Sequence, residues 1–199
     1  MHCIEQDSLS RRRSIYSLGN TLGVSENCFI DTVAACLKYC PTPFNIQSAR
    51  VVILLQKRHQ MFWNMVWDSL QQKAPASKLI SAKTKIDSFS AGYGTILFFE
   101  DKNALAQLKK SFPLYKKNMR IWCQQANGML QYMVWQTLAE NEVGASLQHY
   151  NELVEKDVIK WLKLPKHWEL VAQMPFGGIA KAASEKNFLP LSDRFLVLK

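Results

Sequence analysis

The 199-residue sequence contains no run of about 18 consecutive apolar residues, so it offers no candidate membrane-spanning helix. Its beginning carries Glu5 and Asp7 where a secretory leader would have an apolar core, and the expected location is the cytoplasm, away from membranes. Cysteine is sparse and unpatterned. Cys3, Cys28, Cys36, Cys40 and Cys123 are odd in number and include no Cys-x-x-Cys pair, so they suggest neither a disulfide framework nor a zinc site. The four histidines are not placed at metal-ligand spacing, and no metal centre is expected. There is no Walker loop, no Gly-x-Gly-x-x-Gly turn and no Gly-x-Ser-x-Gly elbow; Gly177-Gly178 is an isolated pair. The chain therefore brings little catalytic equipment of its own.

Acidic residues are also in short supply. Lys and Arg total 25 against 16 Asp and Glu, for a formal charge of +9. The cations are scattered over Arg11 to Arg13, Lys57-Arg58, Lys83-Lys85, Lys109-Lys110 and Lys116 to Arg120, with no aromatic-basic RNA motif between them. A solvated surface explains most of them, and nucleic acid is not the expected partner. A hydrophobic content of 48% with 21% charged residues is that of a globular chain, and the length suits one domain.

Met1 to Ser10 read as a flexible arm, with a single domain from 11 to 199. A first helix is expected over Arg11 to Leu18. Ser25 is a candidate N-cap for a helix whose core face is Phe29, Ile30, Val33, Cys36, Leu37 and Cys40. Pro41 and Pro43 end it. Ala49 to Leu55 read as a strand buried on both faces, and His59 to Gln71 as a helix whose Met, Phe and Trp stripe is packing. A helix is expected over about Lys78 to Asp87, a strand over Tyr93 to Phe99, and an Asp101-capped helix over Asn103 to Lys110. Asn118 to Glu140 form the longest helix, with an apolar surface too wide for one core face. Short strands are expected at Gly144 to His149, Trp168 to Met174 and Phe195 to Leu198, with an Asn151-capped helix over Glu152 to Leu162. The predicted class is α+β: a central mixed β-sheet of four or five strands enclosed by helices.

Three motifs recur in this order in one family: Arg12-Arg13-Ser14-Ile15, the run Pro-Thr-Pro-Phe-Asn-Ile-Gln-Ser-Ala-Arg at 41 to 50, and Gly-Ala-Ser-Leu-Gln-His-Tyr-Asn at 144 to 151. The chain resembles the nitroreductase family, specifically its fatty-acid-repression-mutant branch, from about Arg12 to Arg194. The resemblance implies FMN as cofactor, NADH or NADPH as hydride donor, and a homodimer. It places Arg12, Arg13, Ser14 and Arg194 at the FMN phosphate, where guanidinium forks bind oxygen pairs. It sets Thr42, Pro43, Phe44, Asn45 and Gln47 against the flavin and ribityl chain, with Thr42 to Asn45 contributed across the dimer. Gly144, Ala145 and Ser146 would approach the ring.

The implied activity is two-electron, ping-pong reduction of a small acceptor such as a nitroaromatic or quinone, with no catalytic side chain because FMN carries the chemistry. The alternative is a flavin-binding regulatory protein of fatty-acid response with little turnover. Two departures stand out. Tyr16 replaces a basic residue usual two after the motif Ser, and Gly177-Gly-Ile-Ala-Lys181 alters the glycine-rich segment before the tail cation.

Overall fold

A computed structural model describes residues 7 to 198. Strand β3 (Gly94–Asp101) is the centre, buried along its whole length. It pairs antiparallel with β2 (Ala49–Leu55) on one side and β5 (Trp168–Ile179) on the other, while β5 also pairs with the two-residue strands β1 (Leu18–Gly19) and β4 (Gly144–Ala145). All these pairings are antiparallel, so strand direction is not mixed as the sequence suggested. No parallel crossover joins neighbours here.

Side chains alternate along β3 and divide the core in two. Ile96 and Phe98, with Ala172 and Met174 of β5, pack against helices α2 (Glu26–Tyr39) and α6 (Met119–Glu140). Leu97, Phe99 and Leu170 face the other way, towards α3 (Gln56–Lys73), α4 (Ala76–Ser90) and α7 (Asn151–Trp161). The aromatic stripe of α3 is packing, as expected, with Phe62, Trp63 and Val66 sealed. Helix α5 (Lys102–Ser111) starts as read: the Asp101 carboxylate accepts from the N–H groups of Asn103 and Ala104 at 2.9 and 3.2 Å. The Ser25 hydroxyl likewise accepts from Cys28 N.

Several boundaries differ. Met1 to Gln6, most of the expected arm, lie outside the described residues; Asp7–Arg11 form helix α1, and the chain beyond it is extended, not helical through Leu18. Strand β2 is half-buried apart from Leu54, because it is an edge with a neighbour on one side only. Ile30 is exposed at the margin of α2. β5 continues past Pro175 to Ile179, and the Pro175 carbonyl accepts from Ser146 N. A proline is tolerated where the ladder needs no donor. Phe195 to Leu198 form no strand and are exposed.

Candidate functional site

The first and third motifs meet. Extended backbone after α1 crosses β4, where Ile15 N donates to Ala145 O at 2.9 Å, and Ala180 N closes the other side on Ser17 O. Gly144, Ala145 and Ser146 are buried in this junction. A Cβ at Gly144 would press on Ile15, Leu18 and Ile179 at 3.0 to 3.2 Å, so packing of β1 against β5 accounts for this glycine. Gly177 is held to glycine by the same crossing: its Cβ would stand 2.3 Å from Gly19 O.

The Leu-Gln-His-Tyr-Asn run is a cross-brace. Gln148 and Gln173 exchange backbone hydrogen bonds of 2.7 and 2.9 Å, Gln148 Nε2 donates to Ser146 Oγ, Tyr150 N donates to Gln173 Oε1, and Asn151 Nδ2 donates to Val171 O. It pins the third motif to the longest strand.

Arg12, Arg13 and Ser14 open onto a cleft of about 440 Å³ whose far wall is Lys181 to Ser184 and Lys186. Arg13 Nη2 donates to Ser184 O at 2.6 Å, and the Arg12 guanidinium lies 4.4 Å above the Trp135 ring of α6. Trp135 Nε1 is the one buried side-chain donor without an acceptor among the described residues. This donor set fits a phosphate ester: forked guanidiniums, ammoniums and a hydroxyl surround an open cleft, and Glu185 stands in the adjoining hollow beside Arg12 and Arg13. Arg194 is not brought here. It follows a short 3-10 turn (Leu191–Asp193) and is exposed, whereas Lys181 and Lys186 line the cleft. Nothing in the sequence pointed to Lys186 or Trp135, because only the chain's return from β5 and the rotation of α6 bring them to the motif.

The second motif lies elsewhere. Thr42 and Gln47, the two ends of its bend, line a separate hollow with Cys40, Ala49, Arg50, Ala126 and Leu130. Leu130 and Ala126 are five and nine residues before Trp135 on α6, roughly 8 to 13 Å along the helix at 1.5 Å per residue. Its backbone is strained: Phe44, Asn45 and Gln47 have φ of 52, 53 and 51°. Left-handed conformation costs a non-glycine residue about 1–3 kcal/mol and clusters at functional sites. The strain is braced. Gln47 N donates to Thr42 Oγ1 at 3.1 Å, and Arg50 holds Gln47 O at 2.8 Å while pairing with Asp101 at 2.8 Å. Arg50 is a positioning residue that the sequence reading passed over.

Beneath this bend Glu100 is buried and accepts from Asn127 Nδ2 at 3.1 Å. Burial, and after it the neighbouring Asp101 carboxylate, push its carboxyl above the ordinary range.

The model of the nitroreductase family matches residues 9–178. The nitroreductase FRM2 of Saccharomyces cerevisiae is 30% identical over 186 residues, 92% of each chain. The structure is similar to nitroreductase CinD from Lactococcus lactis in complex with chloramphenicol, at 38% identity and TM-score 0.89 over 97% of this chain and 98% of that one. A Desulfovibrio desulfuricans protein in complex with FMN shares the fold, at 15% identity and TM-score 0.72 over 100% of this chain and 99% of that one. The chain belongs to the nitroreductase family, a class of oxidoreductase. No helix among the described residues is long and apolar enough to cross a membrane.

Proposed function

We propose that the chain is an FMN-dependent NAD(P)H oxidoreductase that works as a cytoplasmic homodimer, reducing nitroaromatic or quinone-like acceptors in a ping-pong cycle. The observation that carries this reading is the split site. The cationic cleft of Arg12, Arg13 and Ser14 suits a phosphate, the strained loop Thr42 to Gln47 suits a ring and its polar edge, and one chain holds them apart along α6. A second copy, presenting its loop to the first copy's cleft, supplies one complete site at each end of the pair.

The tail and helix surface favour the same assembly. Phe188, Leu189, Leu191, Phe195, Leu196 and Leu198 are each at least 66% exposed, more apolar surface than a solvated tail carries. Their natural cover is the partner's open β2 edge and α6 face. When bound, FMN supplies hydride acceptance and two-electron transfer. Arg12 and Arg13 would grip its phosphate, Ser14 would donate to a phosphate oxygen, Asn45 and Gln47 would orient the ring edge, and Gly144 to Ser146 would form the wall behind.

The test is phosphate-specific. Each charge-assisted hydrogen bond is worth about 1.5–3 kcal/mol, so Arg12→Ala should weaken FMN binding about ten- to a hundredfold. Riboflavin, which lacks the phosphate, should bind variant and parent equally, and Arg11→Ala on helix α1 should change neither ligand. Fluorescence quenching at fixed salt reads all four. Unchanged FMN affinity in Arg12→Ala would remove the phosphate from this cleft.

A further inference from the structure

Phe44 of the strained loop also joins an aromatic cluster within this chain. Phe44 stacks on Phe112, with ring centroids 4.1 Å apart and planes 20° from parallel. Tyr115 and Trp122 close the cluster, at 6.0 and 6.4 Å from Phe44 and 5.8 Å from each other. Phe44, Phe112 and Tyr115 remain 48, 37 and 41% exposed, and Leu114 stands out between them at 84%. Together they leave a contiguous aromatic platform open at the surface, the kind of apolar patch that serves as a binding site.

Its charge is one-sided. Between Asp101 and Glu140 the charged residues are Lys102, Lys109, Lys110, Lys116, Lys117 and Arg120, with no carboxylate among them. Arg120 is committed to Glu169 at 2.6 Å. Lys109, Lys110, Lys116 and Lys117 flank Phe112 and Tyr115 directly in the chain and have no carboxylate partner among the described residues. A cofactor phosphate has no need of them, since the cationic cleft lies at the other end of α6.

We propose that this rim of Phe44, Phe112, Tyr115 and Trp122 with its lysines is the acceptor-selecting site, and that it takes planar aromatic anions: arenes bearing a carboxylate or sulfonate. The assignment rests on the reading that the Thr42 to Gln47 loop borders the flavin. The rings supply a stacking surface for any flat, electron-poor arene. The lysines add attraction only for an anion, and two or more such exposed contacts together amount to about tenfold in affinity at low ionic strength. Single-stranded nucleic acid also combines stacking with phosphate charge. The platform is a single compact cluster and not a groove that could track a backbone, so a small arene fits it better.

Binding, rather than turnover, tests it. Calorimetric titration of the purified, flavin-loaded protein with 4-nitrobenzoate and its neutral isostere 4-nitrobenzamide should show the carboxylate bound about tenfold more tightly at low salt. The preference should collapse at 1 M salt, where screening acts within about 3 Å. The double variant Lys116→Gln/Lys117→Gln should lose affinity for the carboxylate alone. Phe112→Ala should weaken both ligands several-fold and leave their ratio intact. Equal affinity for the two arenes, or tighter binding of a dT oligonucleotide that displaces nitrobenzoate, would overturn the inference. Flavin absorbance of the same preparation separates the two readings: protein that carries FMN yet ignores the carboxylate defeats this proposal alone, whereas protein that never takes up FMN defeats the cofactor reading.

Discussion

The two faces of the sheet are finished to different degrees. Towards α3, α4 and α7 the core is closed, with Phe62, Trp63, Leu97 and Phe99 fully buried. Even its polar groups are satisfied. Trp63 Nε1 donates to Thr95 Oγ1 at 2.9 Å, the Thr95 hydroxyl meets His59 Nδ1 at 2.8 Å, and His59 Nε2 meets Ser90 O at 3.1 Å. Burial holds the His59 imidazole below its usual value, so the neutral ring has Nε2–H donating to the Ser90 carbonyl and Nδ1 accepting from Thr95. Towards α2 and α6 the sheet is equally buried, but the far side of α6 is not covered. Ile121, Met129 and Tyr132 are 53, 45 and 44% exposed, and a Cβ at Gly128 would meet nothing within 4 Å. The first face completes a fold; the second resembles a core cut in half, as obligate interfaces do. Both halves of the candidate cofactor site lie on this unfinished side.

The comparison breaks most visibly at Trp63. Trp63→Ala should destabilise the chain by about 3–5 kcal/mol through the cavity it leaves, read as a lower urea midpoint. The protein that remains folded should still bind FMN with parental affinity. Loss of flavin binding without loss of stability would mean the closed face is not merely structural.

A smaller cut is Thr95→Val, which strands the Trp63 and His59 nitrogens without changing side-chain shape. An orphaned buried polar group costs about 1–3 kcal/mol. Acidification should act in the same direction in the parent. Because folded His59 resists protonation, the unfolded chain takes up the extra proton as pH falls below about 6.5, and stability is lost there. Urea midpoints of parent and His59→Gln between pH 7.5 and pH 5, at roughly constant ionic strength, should converge as that contribution disappears.

Gly128→Leu sharpens the contrast because its two outcomes have opposite signs. On an uncovered helix the change should stabilise by about 0.8 kcal/mol, since glycine is a poor helix former. On a covered one it should split the dimer and release flavin together. Light scattering and flavin absorbance on one sample decide between them, and a flavin-bound monomer would refute the interface.

The smallest effect belongs to Glu100→Gln. With the folded carboxyl held above its unfolded value of 4.5, the folded state binds the extra proton, and stability is lost as pH rises through that window. The neutral variant should therefore be slightly more stable than the parent at pH 7 and gain nothing near pH 4. Paired thermal melts at the two values measure it.

Local chemistry made much of this legible in advance. Ser25 and Asp101 as caps, the apolar helical faces and the buried β3 run depend on neighbours within a few residues, so residue spacing alone located them. Ordered motifs likewise carried the family. Strand boundaries were harder: a proline suggested an end to β5, yet the pairing of β5 with β1, β3 and β4 carries the strand on to Ile179. The expected strand at Phe195 to Leu198 has the right composition but pairs with no strand among the described residues.

Sequence by itself determined the α+β class, the family and the three segments of the proposed flavin site. Tertiary structure alone decided that Arg12 rests on Trp135, that Lys181 and Lys186 line the cleft and Arg194 does not, and that the polar loop stands about two turns of α6 away, with Phe44 beside Phe112 and Tyr115. The physical reason is range. Capping and periodicity act over three or four residues, which a linear chain records, whereas a cleft is assembled by strand register and helix rotation from residues more than a hundred positions apart.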